Sequence, residues 1–227
     1  MRVLLISNSG RPFLGHCRDT IANFLGDARR IGFVTAASYG DEAGYCETAR
    51  SALAPAGIEV VHLQLESEPL AVLEAVQAVF IGGGNTYHLL ARLHAAGIVQ
   101  PLAGRVRDGM PYIGSSAGSN VAGPNILTTN DWNVDGNPRF DGLNLVPFNI
   151  NPHYRETDPV MAPGSETRDE RIEQYLIARD NPVVGIEEET CVVRAADAYT
   201  VVGRGRVKVF ARGRTPLWFA SGDRIVW

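Results

Sequence analysis

The stretch Met110-Pro-Tyr-Ile-Gly-Ser-Ser116-Ala-Gly-Ser-Asn-Val-Ala-Gly123 predicts a short strand that turns sharply into a helix. Residues 114–118 form a G-x-S-x-G pattern between an apolar start and a run of small residues. This strand-turn-helix context is the condition under which the pattern indicates a nucleophile elbow. Ser116 is the central serine, and we predict that it is a nucleophile. The alternative is a glycine-rich turn that only allows close packing.

The first half of the chain alternates strand and helix patterns. Apolar runs predict strands at 3–6, 31–35, 60–65, 78–81 and 112–113, and amphipathic patterns predict helices at 16–26, 42–55, 68–76, 86–96 and 98–108. This alternation favours a mostly parallel sheet with helices on both faces. In such sheets the functional groups gather at the carboxyl ends of the strands. Ser116 and the glycine loop Gly82-Gly-Gly-Asn85 both lie at such ends.

The second half is organised differently. Residues 124–165 are rich in Asn, Asp, Pro and Gly, which predicts a long loop region with a function. A charged helix is predicted at 166–179, and short β runs dominate from 183 to the end. We find no internal repeat and predict one domain over residues 1–227.

Composition narrows the possible partners and the compartment. The 227 residues carry a net charge of −4 without a basic cluster, which disfavours nucleic acid and anionic membranes as partners. Cys17, Cys46 and Cys191 are scattered and form no disulfide framework, as is typical of a reducing compartment. The N-terminus does not resemble a signal peptide, and no segment resembles a membrane span. We therefore expect a cytoplasmic protein.

A serine nucleophile needs a base, and histidine is the usual one. Five histidines are present, and His153 in Asn151-Pro-His-Tyr154 is the best candidate because it follows an apolar stretch on a stiffened loop. A turn-stabilising role is the alternative. His16, at the mouth of the first strand-helix loop, is a weaker candidate, while His62, His88 and His94 are expected to pack or to face solvent.

The acid that orients the histidine is not determined by spacing alone. The candidates are Asp131, Asp135, Glu156, Asp158, Asp169 and the run Glu187-Glu188-Glu189. The run lies between two β patterns, so strand alternation would place Glu188 on the opposite face from its neighbours. A solvated turn is an equally good interpretation of three consecutive acids.

The glycine loop lies at the start of a predicted helix, and its backbone amides are not shielded by side chains. Such amides bind anions, and we predict that Gly83 and Gly84, together with the amide of Ala117, form an oxyanion hole. A nucleotide-phosphate loop is disfavoured because neither G-x-G-x-x-G nor G-K-[ST] is present.

Six ordered blocks resemble a known family. They are Phe80-Ile-Gly-Gly-Gly-Asn-Thr86, Ile113-Gly-Ser-Ser-Ala-Gly-Ser-Asn120, Thr128-Thr-Asn-Asp131, Phe140-Asp-Gly-Leu-Asn-Leu145, Ile150-Asn-Pro-His-Tyr154 and Glu166-Thr-Arg-Asp-Glu-Arg-Ile172. Together they resemble the S51 family of serine peptidases, that of the peptidase E-type α-aspartyl dipeptidases. The blocks extend over most of the chain, so the set is more specific than any one motif.

The resemblance implies a fold and a reaction. The fold would be a three-layer αβα sandwich with a mostly parallel sheet, like that of class I glutamine amidotransferases, followed by a β-rich C-terminal part. The reaction would be hydrolysis of dipeptides with an N-terminal aspartate, without metal or cofactor. We expect a small peptide as the partner and a monomer or homodimer as the oligomeric state.

The resemblance also implies roles for individual residues. Ser116 would be the nucleophile, His153 the base and Glu188 the acid of the triad. Asp131 would lie near the site and is the alternative acid. Two residues would bind substrate: Asn85 and Arg168. The arginine would clamp the aspartyl carboxylate, and a surface salt bridge is its alternative.

The sequence departs from the family pattern at two places. Ser115 stands where a bulky aromatic is common, which predicts a wider pocket, and Glu187-Glu188-Glu189 stands where the family usually has a Pro-Glu-Gly-like segment. A related peptidase of other specificity, either cyanophycinase-like or carboxypeptidase-like, is therefore an alternative function. A non-catalytic binding module of the same fold is another. An α/β-hydrolase esterase is disfavoured because its acid precedes the histidine.

Overall fold

The computed structural model describes residues 1–156, 162 and 164–227. The first half consists of β1 (Val3–Ile6), α1 (Arg18–Leu25), β2 (Arg30–Val34), α2 (Glu42–Leu53), β3 (Glu59–His62), α3 (Pro69–Ala75), β4 (Ala78–Ile81), α4 (Thr86–Ala95), α5 (Val99–Arg107), β5 (Tyr112–Ser115) and α6 (Ala117–Asn120). The second half consists of β6 (Asn149–Pro152), α7 (Arg168–Ala178), β7 (Val183–Ile186), β8 (Thr190–Ala195), β9 (Ala198–Gly203), β10 (Val207–Phe210) and β11 (Leu217–Phe219).

Seven strands form the main sheet, in the order β3-β2-β4-β5-β1-β8-β9. The first five are parallel, and β8 and β9 join antiparallel at the β1 side. The predicted mostly parallel sheet is therefore present. Its carboxyl-terminal edge carries the turn after β5 and the glycine loop after β4.

Strand alternation divides the core between the two faces of this sheet. Leu4 and Ile6 pack with α1 and α2, whereas Val3 and Leu5 point into the opposite cluster, which contains the buried faces of α3, α4 and α5. Both faces are apolar and covered by helices, as expected for a parallel sheet. The result is the predicted three-layer α/β sandwich.

The β-rich second half forms a separate four-stranded sheet in the order β11-β10-β7-β6. Within it β6 runs parallel to β7, and the remaining pairs are antiparallel. The sequence patterns predicted strands in this region but not their division between two sheets. Val184, Ile186 and Val207 of this sheet share one hydrophobic cluster with Leu5 of the main sheet.

Among the residues that the structure describes, no helix combines the length and apolar character needed to cross a bilayer.

Candidate active site

Ser116 lies at the tip of a strained turn between β5 and α6. Its φ of 52° and ψ of −110° are rarely adopted by a residue with a side chain. The flanking glycines make the turn possible, because a Cβ on Gly114 would lie 2.3 Å from the carbonyl oxygen of Gly118 and one on Gly118 would lie 2.1 Å from that of Ile81. The Ser116 amide donates to the carbonyl of Ile6 at 3.0 Å, which holds the turn against β1.

Three of the predicted side chains are connected by hydrogen-bonding contacts. Ser116 Oγ lies 2.7 Å from His153 Nε2, and His153 Nδ1 lies 2.7 Å from Glu188 Oε1. When Nδ1–H donates to the carboxylate, Nε2 is left as an acceptor facing the serine hydroxyl. The hydrogen bond from His153 lowers the pKa of Glu188, so this group stays ionised at neutral pH.

The two neighbouring glutamates face other partners. Glu187 accepts from the amide of Arg206 at 2.7 Å, and Glu189 forms an ion pair with Arg204 at 3.0 Å. All three glutamates lie in the turn between β7 and β8 and not on a strand, so strand alternation does not separate them, and Glu188 is the member of the run that reaches His153.

His153 is held at the junction of the two sheets. Directly after β6 it adopts a φ of 55°, and its amide donates to Ser7 Oγ at 2.8 Å. The Ser7 hydroxyl in turn donates to the carbonyl of Ile186 at 2.9 Å. Ser7, at the end of β1, thus ties the histidine turn to both sheets.

The glycine loop lies against the nucleophile. A Cβ on Gly83 would approach Ser116 Cβ to 3.1 Å, and Gly84, with a φ of 143°, lies so close to Ala37 that a Cβ would lie 2.2 Å from its carbonyl oxygen. Within the described chain, no residue accepts a hydrogen bond from the amides of Gly84 and Ala117. The Gly83 amide, in contrast, donates to the Tyr45 hydroxyl at 2.8 Å. Of the three predicted oxyanion-hole amides, Gly83 is therefore already engaged.

Asp131 and Asn85 bind the start of α4. Asp131 Oδ2 accepts from the amide and the hydroxyl of Thr86, at 2.7 and 2.6 Å. Asn85 caps the same helix through the amide of His88, and its Nδ2 donates to the carbonyl of Trp132 at 2.9 Å. Both residues therefore tie the 129–132 loop to the glycine loop, and Asp131 does not take the position of Glu188 beside His153.

The remaining acid candidates have partners elsewhere. Asp135 pairs with His88 at 2.6 Å, and Glu156 and Asp169 both contact the buried ammonium group of Lys208, at 2.8 and 2.6 Å. Asp158 lies outside the described residues.

The remaining histidines also lie apart from Ser116. His62 contacts the Thr35 hydroxyl at 2.8 Å, and His94 faces the guanidinium of Arg139 at 3.3 Å. His16 lies beside Cys17 and Cys191.

Arg168 begins α7 and lines a cavity of about 270 Å³. Its guanidinium lies 3.4 Å from Asn151 Oδ1. Asn151 is two residues before His153, and the adjacent Pro152 carbonyl accepts from Asn130 Nδ2 at 3.0 Å. The cavity wall is therefore continuous with the strand that carries the histidine. The full lining comprises residues 127–132, Asn151, Arg168, Arg171, Ile172 and Tyr175.

Ser115 is fully buried, and its hydroxyl lies 3.1 Å from that of Ser9. The small serine side chain fits at this contact, next to the turn that carries Ser116. The wider pocket that we predicted from Ser115 stays a prediction.

Sequence patterns missed the residues that support the site from β1. Asn8 Oδ1 accepts from the amide of Glu189 at 2.8 Å, and Ser7 holds His153. Ser119 contacts β1 as well, where its hydroxyl lies 2.8 Å from the carbonyl of Ile6. The available signal was a polar Ser-Asn pair directly after a fully apolar strand.

Comparison with known proteins gives consistent results. The model of peptidase family S51 matches residues 3–202. Peptidase E from Streptomyces coelicolor is 41% identical over 98% of this chain and 93% of its own length. A probable alpha-aspartyl dipeptidase from Drosophila melanogaster is 38% identical over 92% and 89% of the two chains. The crystal structure of a putative peptidase E protein from Listeria monocytogenes superposes with a TM-score of 0.70 at 23% identity, over 90% of this chain and 98% of that one, which shows the common fold.

Proposed function

The chain belongs to peptidase family S51 and is a serine peptidase, and from that premise we propose that it is an exopeptidase for small peptides, preferring dipeptides with an N-terminal aspartate. The observation that carries the proposal is the unbroken contact from Ser116 through His153 to Glu188, with 2.7 Å at each step. We assign these side chains the roles of nucleophile, general base and orienting acid.

The geometry supports a conventional acyl transfer. As Ser116 Oγ attacks the scissile carbonyl carbon, His153 Nε2 takes the hydroxyl proton and then passes it to the leaving amine. Glu188 keeps Nδ1 protonated and stabilises the imidazolium that forms. Its lowered pKa favours this role because an ionised carboxylate is required. Water attack on the acyl-serine, with His153 again acting as base, completes the cycle.

The amides of Gly84 and Ala117 are the groups that we assign to the oxyanion. Preorganised amides of this kind stabilise the tetrahedral intermediate by several kcal/mol. Because α6 is short, its helix dipole adds little to the stabilisation of the oxyanion. The amides themselves are therefore the main hydrogen-bond donors. The Gly83 amide instead keeps the loop in place by donating to Tyr45.

The preference for aspartate rests on Arg168 and on the relatives. The described cavity beside β6 has two guanidinium groups in its wall, Arg168 and Arg171. Guanidinium binds carboxylate in a bidentate manner, which suits an aspartyl side chain. The Drosophila relative is described as a probable alpha-aspartyl dipeptidase. A cytoplasmic location and a small-peptide partner remain expectations from the sequence.

A panel of dipeptides tests the proposal. We expect hydrolysis of Asp-Leu to exceed that of Glu-Leu and Ala-Leu, and Ser116→Ala to lower kcat on the order of 10⁶-fold. The substituted protein should stay folded by circular dichroism, because the serine side chain contributes little to the core.

Two outcomes would contradict the proposal. A tenth of the wild-type activity left in folded Ser116→Ala protein would exclude this nucleophile. Efficient cleavage of β-Asp-Arg or of longer peptides, with none of Asp-Leu, would instead indicate the cyanophycinase-like or carboxypeptidase-like specificity.

A further inference from the structure

His16, Cys17 and Cys191 form a second chemical cluster, outside the Ser116-His153-Glu188 line. One ligand atom from each residue lies within 4.8 Å of the other two. Both cysteines are buried, with 2% and 1% of their surface exposed, whereas His16 is half-buried. The cluster is thus a buried thiol pair with an imidazole on its outer side.

The fold brings these residues together from opposite ends of the chain. Cys191 on β8 lies opposite Ile6 on β1 in the antiparallel register. Cys17 lies at the N-cap position of α1, and His16 precedes it in the loop that follows β1. A Cβ on Gly10 would lie 2.8 Å from His16 Nδ1, so the imidazole packs closely against the loop backbone.

The donor atoms are suited to a metal. His16 Nε2 is buried, and no described residue hydrogen-bonds to it. The two cysteine sulfur atoms lie within 4.8 Å of each other and of a ring nitrogen of His16. Metal binding would displace the thiol protons, because the thiolate is the form of cysteine that ligates a metal.

We propose that His16, Cys17 and Cys191 bind one thiophilic divalent cation, for which Zn²⁺ is the best fit. Two thiolates and one imidazole match the softness of zinc, and three protein ligands leave the fourth tetrahedral position to water. Tetrahedral zinc with Zn–S bonds of about 2.3 Å needs ligand atoms roughly 3.5–3.8 Å apart. The ligand atoms of the cluster lie within 4.8 Å of one another, so zinc binding would draw the more widely spaced atoms closer together.

The site is connected to the triad through short stretches of backbone. Cys191 is three residues after Glu188, and its strand partner Ile6 accepts the amide hydrogen of Ser116. His16 is also one of the charges that lower the pKa of Glu188. Bound zinc would therefore fasten the loop before α1 to β8, below the acid of the triad. It takes no part in the hydrolytic steps, so metal-free protein should remain active.

Zinc binding to the reduced, metal-free full-length protein tests the proposal. We expect one equivalent of Zn²⁺ by isothermal titration calorimetry and, with Co²⁺ as the probe, thiolate-to-metal charge-transfer absorption. Cys17→Ser, Cys191→Ser and His16→Ala should each weaken binding at least tenfold. Cys46→Ser is the matched control, because Cys46 is equally buried but lies on α2 and contacts Arg50 instead.

The melting temperature provides a second readout. Zn²⁺ should raise Tm of wild type and of Cys46→Ser in proportion to the logarithm of its concentration, and should raise Tm of His16→Ala clearly less at the same concentrations. His16 is half-buried, so this variant remains informative even if a buried cysteine substitution unfolds the chain.

Several results would overturn the proposal. The first is that the reduced wild-type protein shows no saturable zinc binding. The second is that His16→Ala, Cys17→Ser and Cys191→Ser all bind zinc as tightly as wild type. The third is that Cys46→Ser loses as much zinc affinity as these variants do. A Cys17–Cys191 disulfide in the isolated protein, together with no zinc binding after reduction, would make the cluster a redox pair instead. None of these results bears on Ser116, because the dipeptide panel is run without added metal.

Discussion

At the scale of single residues, part of the backbone strain lies at the candidate active site. Seven described non-glycine residues have a positive φ, and Ser116, His153 and Glu189 are three of them. Each such residue costs on the order of 1–3 kcal/mol and persists only when its surroundings determine it. Here the determinants are visible, since Ile6, Ser7 and Asn8 bind the amides of these three residues.

The three consecutive glutamates allow a controlled test of the acid. We expect Glu188→Gln to reduce kcat on the order of 10³–10⁴-fold, because an amide no longer fixes the His153 tautomer or stabilises the imidazolium. Glu187→Gln and Glu189→Gln remove ion pairs with Arg206 and Arg204 and should change kcat less than about threefold. Kinetics of all three variants on Asp-Leu would show the difference. An equal loss in the three would mean that the segment acts only as a structural turn.

Glu188 also makes stability depend on pH. Its hydrogen bond to His153 lowers its folded-state pKa below the ordinary value of 4.5. Its stabilising contribution is thus fully present above pH 4.5 and is lost as the pH falls through the lowered folded-state pKa. We expect the difference in unfolding free energy between wild type and Glu188→Gln to shrink over that acidic range in urea titrations. A difference that stays constant down to the acid limit would contradict the assigned contact.

Local sequence patterns were sufficient to predict the turn that carries Ser116, because the elbow is a continuous motif. They were not sufficient for the acid. Glu188 was selected only by the resemblance, since its partner lies 35 positions away. The support from Ser7 was missed for the same reason, because this contact spans 146 positions.

At the scale of elements, α4 connects the glycine loop to the long 124–148 region. Its N-terminus is capped by Asn85, and its first residue, Thr86, donates twice to Asp131. A carboxylate at a helix N-terminus is favourable both as a hydrogen-bond acceptor and through the helix dipole. Residues 131 and 132, part of the loop region predicted at 124–165, are therefore held by the helix that begins after the glycine loop.

Asp131→Ala tests this structural role. We expect the free energy of unfolding to fall by about 1.5–3 kcal/mol, because the Thr86 amide and hydroxyl lose a charged acceptor. The value of kcat should fall less than tenfold, since Asp131 does not contact His153. Asp135→Ala, which removes a surface contact to His88, is the matched control and should be nearly neutral. If Asp131→Ala reduces kcat as strongly as Glu188→Gln, Asp131 belongs to the chemistry and our assignment is wrong.

The elements of the first half could be predicted from periodicity, and so could the helix at 166–179, observed as α7 (Arg168–Ala178), and the β runs from 183 onward, whereas β6 could not. Strands buried on both faces, such as β1 and β4, are continuous apolar runs, and the predicted bounds of 3–6 and 78–81 agree with the structure. In contrast, β6 reads Asn-Ile-Asn-Pro, and its asparagines are buried because they bind Asn125, Thr128 and Asn130. Its polar positions are satisfied by tertiary contacts that no local pattern reports.

At the scale of the whole molecule, the site is assembled where two sheets meet. Ser116 follows β5 of the main sheet, His153 follows β6 of the small sheet, and Glu188 lies in the turn from β7 to β8, where the chain crosses between them. The shared hydrophobic cluster and the Ser7 hydrogen bonds fix their relative position. The antiparallel addition of β8 also explains why scattered cysteines converge, which spacing along the sequence could not reveal.

Substrate specificity depends on the whole fold, because the cavity that we assign to the substrate side chain is built from three segments that are distant in sequence. The 127–132 loop, β6 and α7 each contribute to its wall, and Arg168 starts α7 behind a capping box formed by Thr167 and Glu170. This cap fixes the backbone of the first turn, and the guanidinium contacts Asn151, which lines the same cavity. An arginine held in this way loses less conformational entropy when a carboxylate binds.

Arg168→Ala should therefore lower kcat/KM for Asp-Leu at least about a hundredfold, equivalent to roughly 2.7 kcal/mol. Ala-Leu should be affected far less, because it never makes the contact. Arg168→Lys should recover only part of the loss, since an ammonium group cannot form the bidentate pair. Arg171 lies one turn along the same helix and lines the same cavity, so it is the alternative clamp. A selective loss of Asp-Leu hydrolysis in Arg171→Ala would move the assignment to Arg171. Equal losses of Asp-Leu and Ala-Leu hydrolysis in Arg168→Ala would show that this arginine only supports the fold.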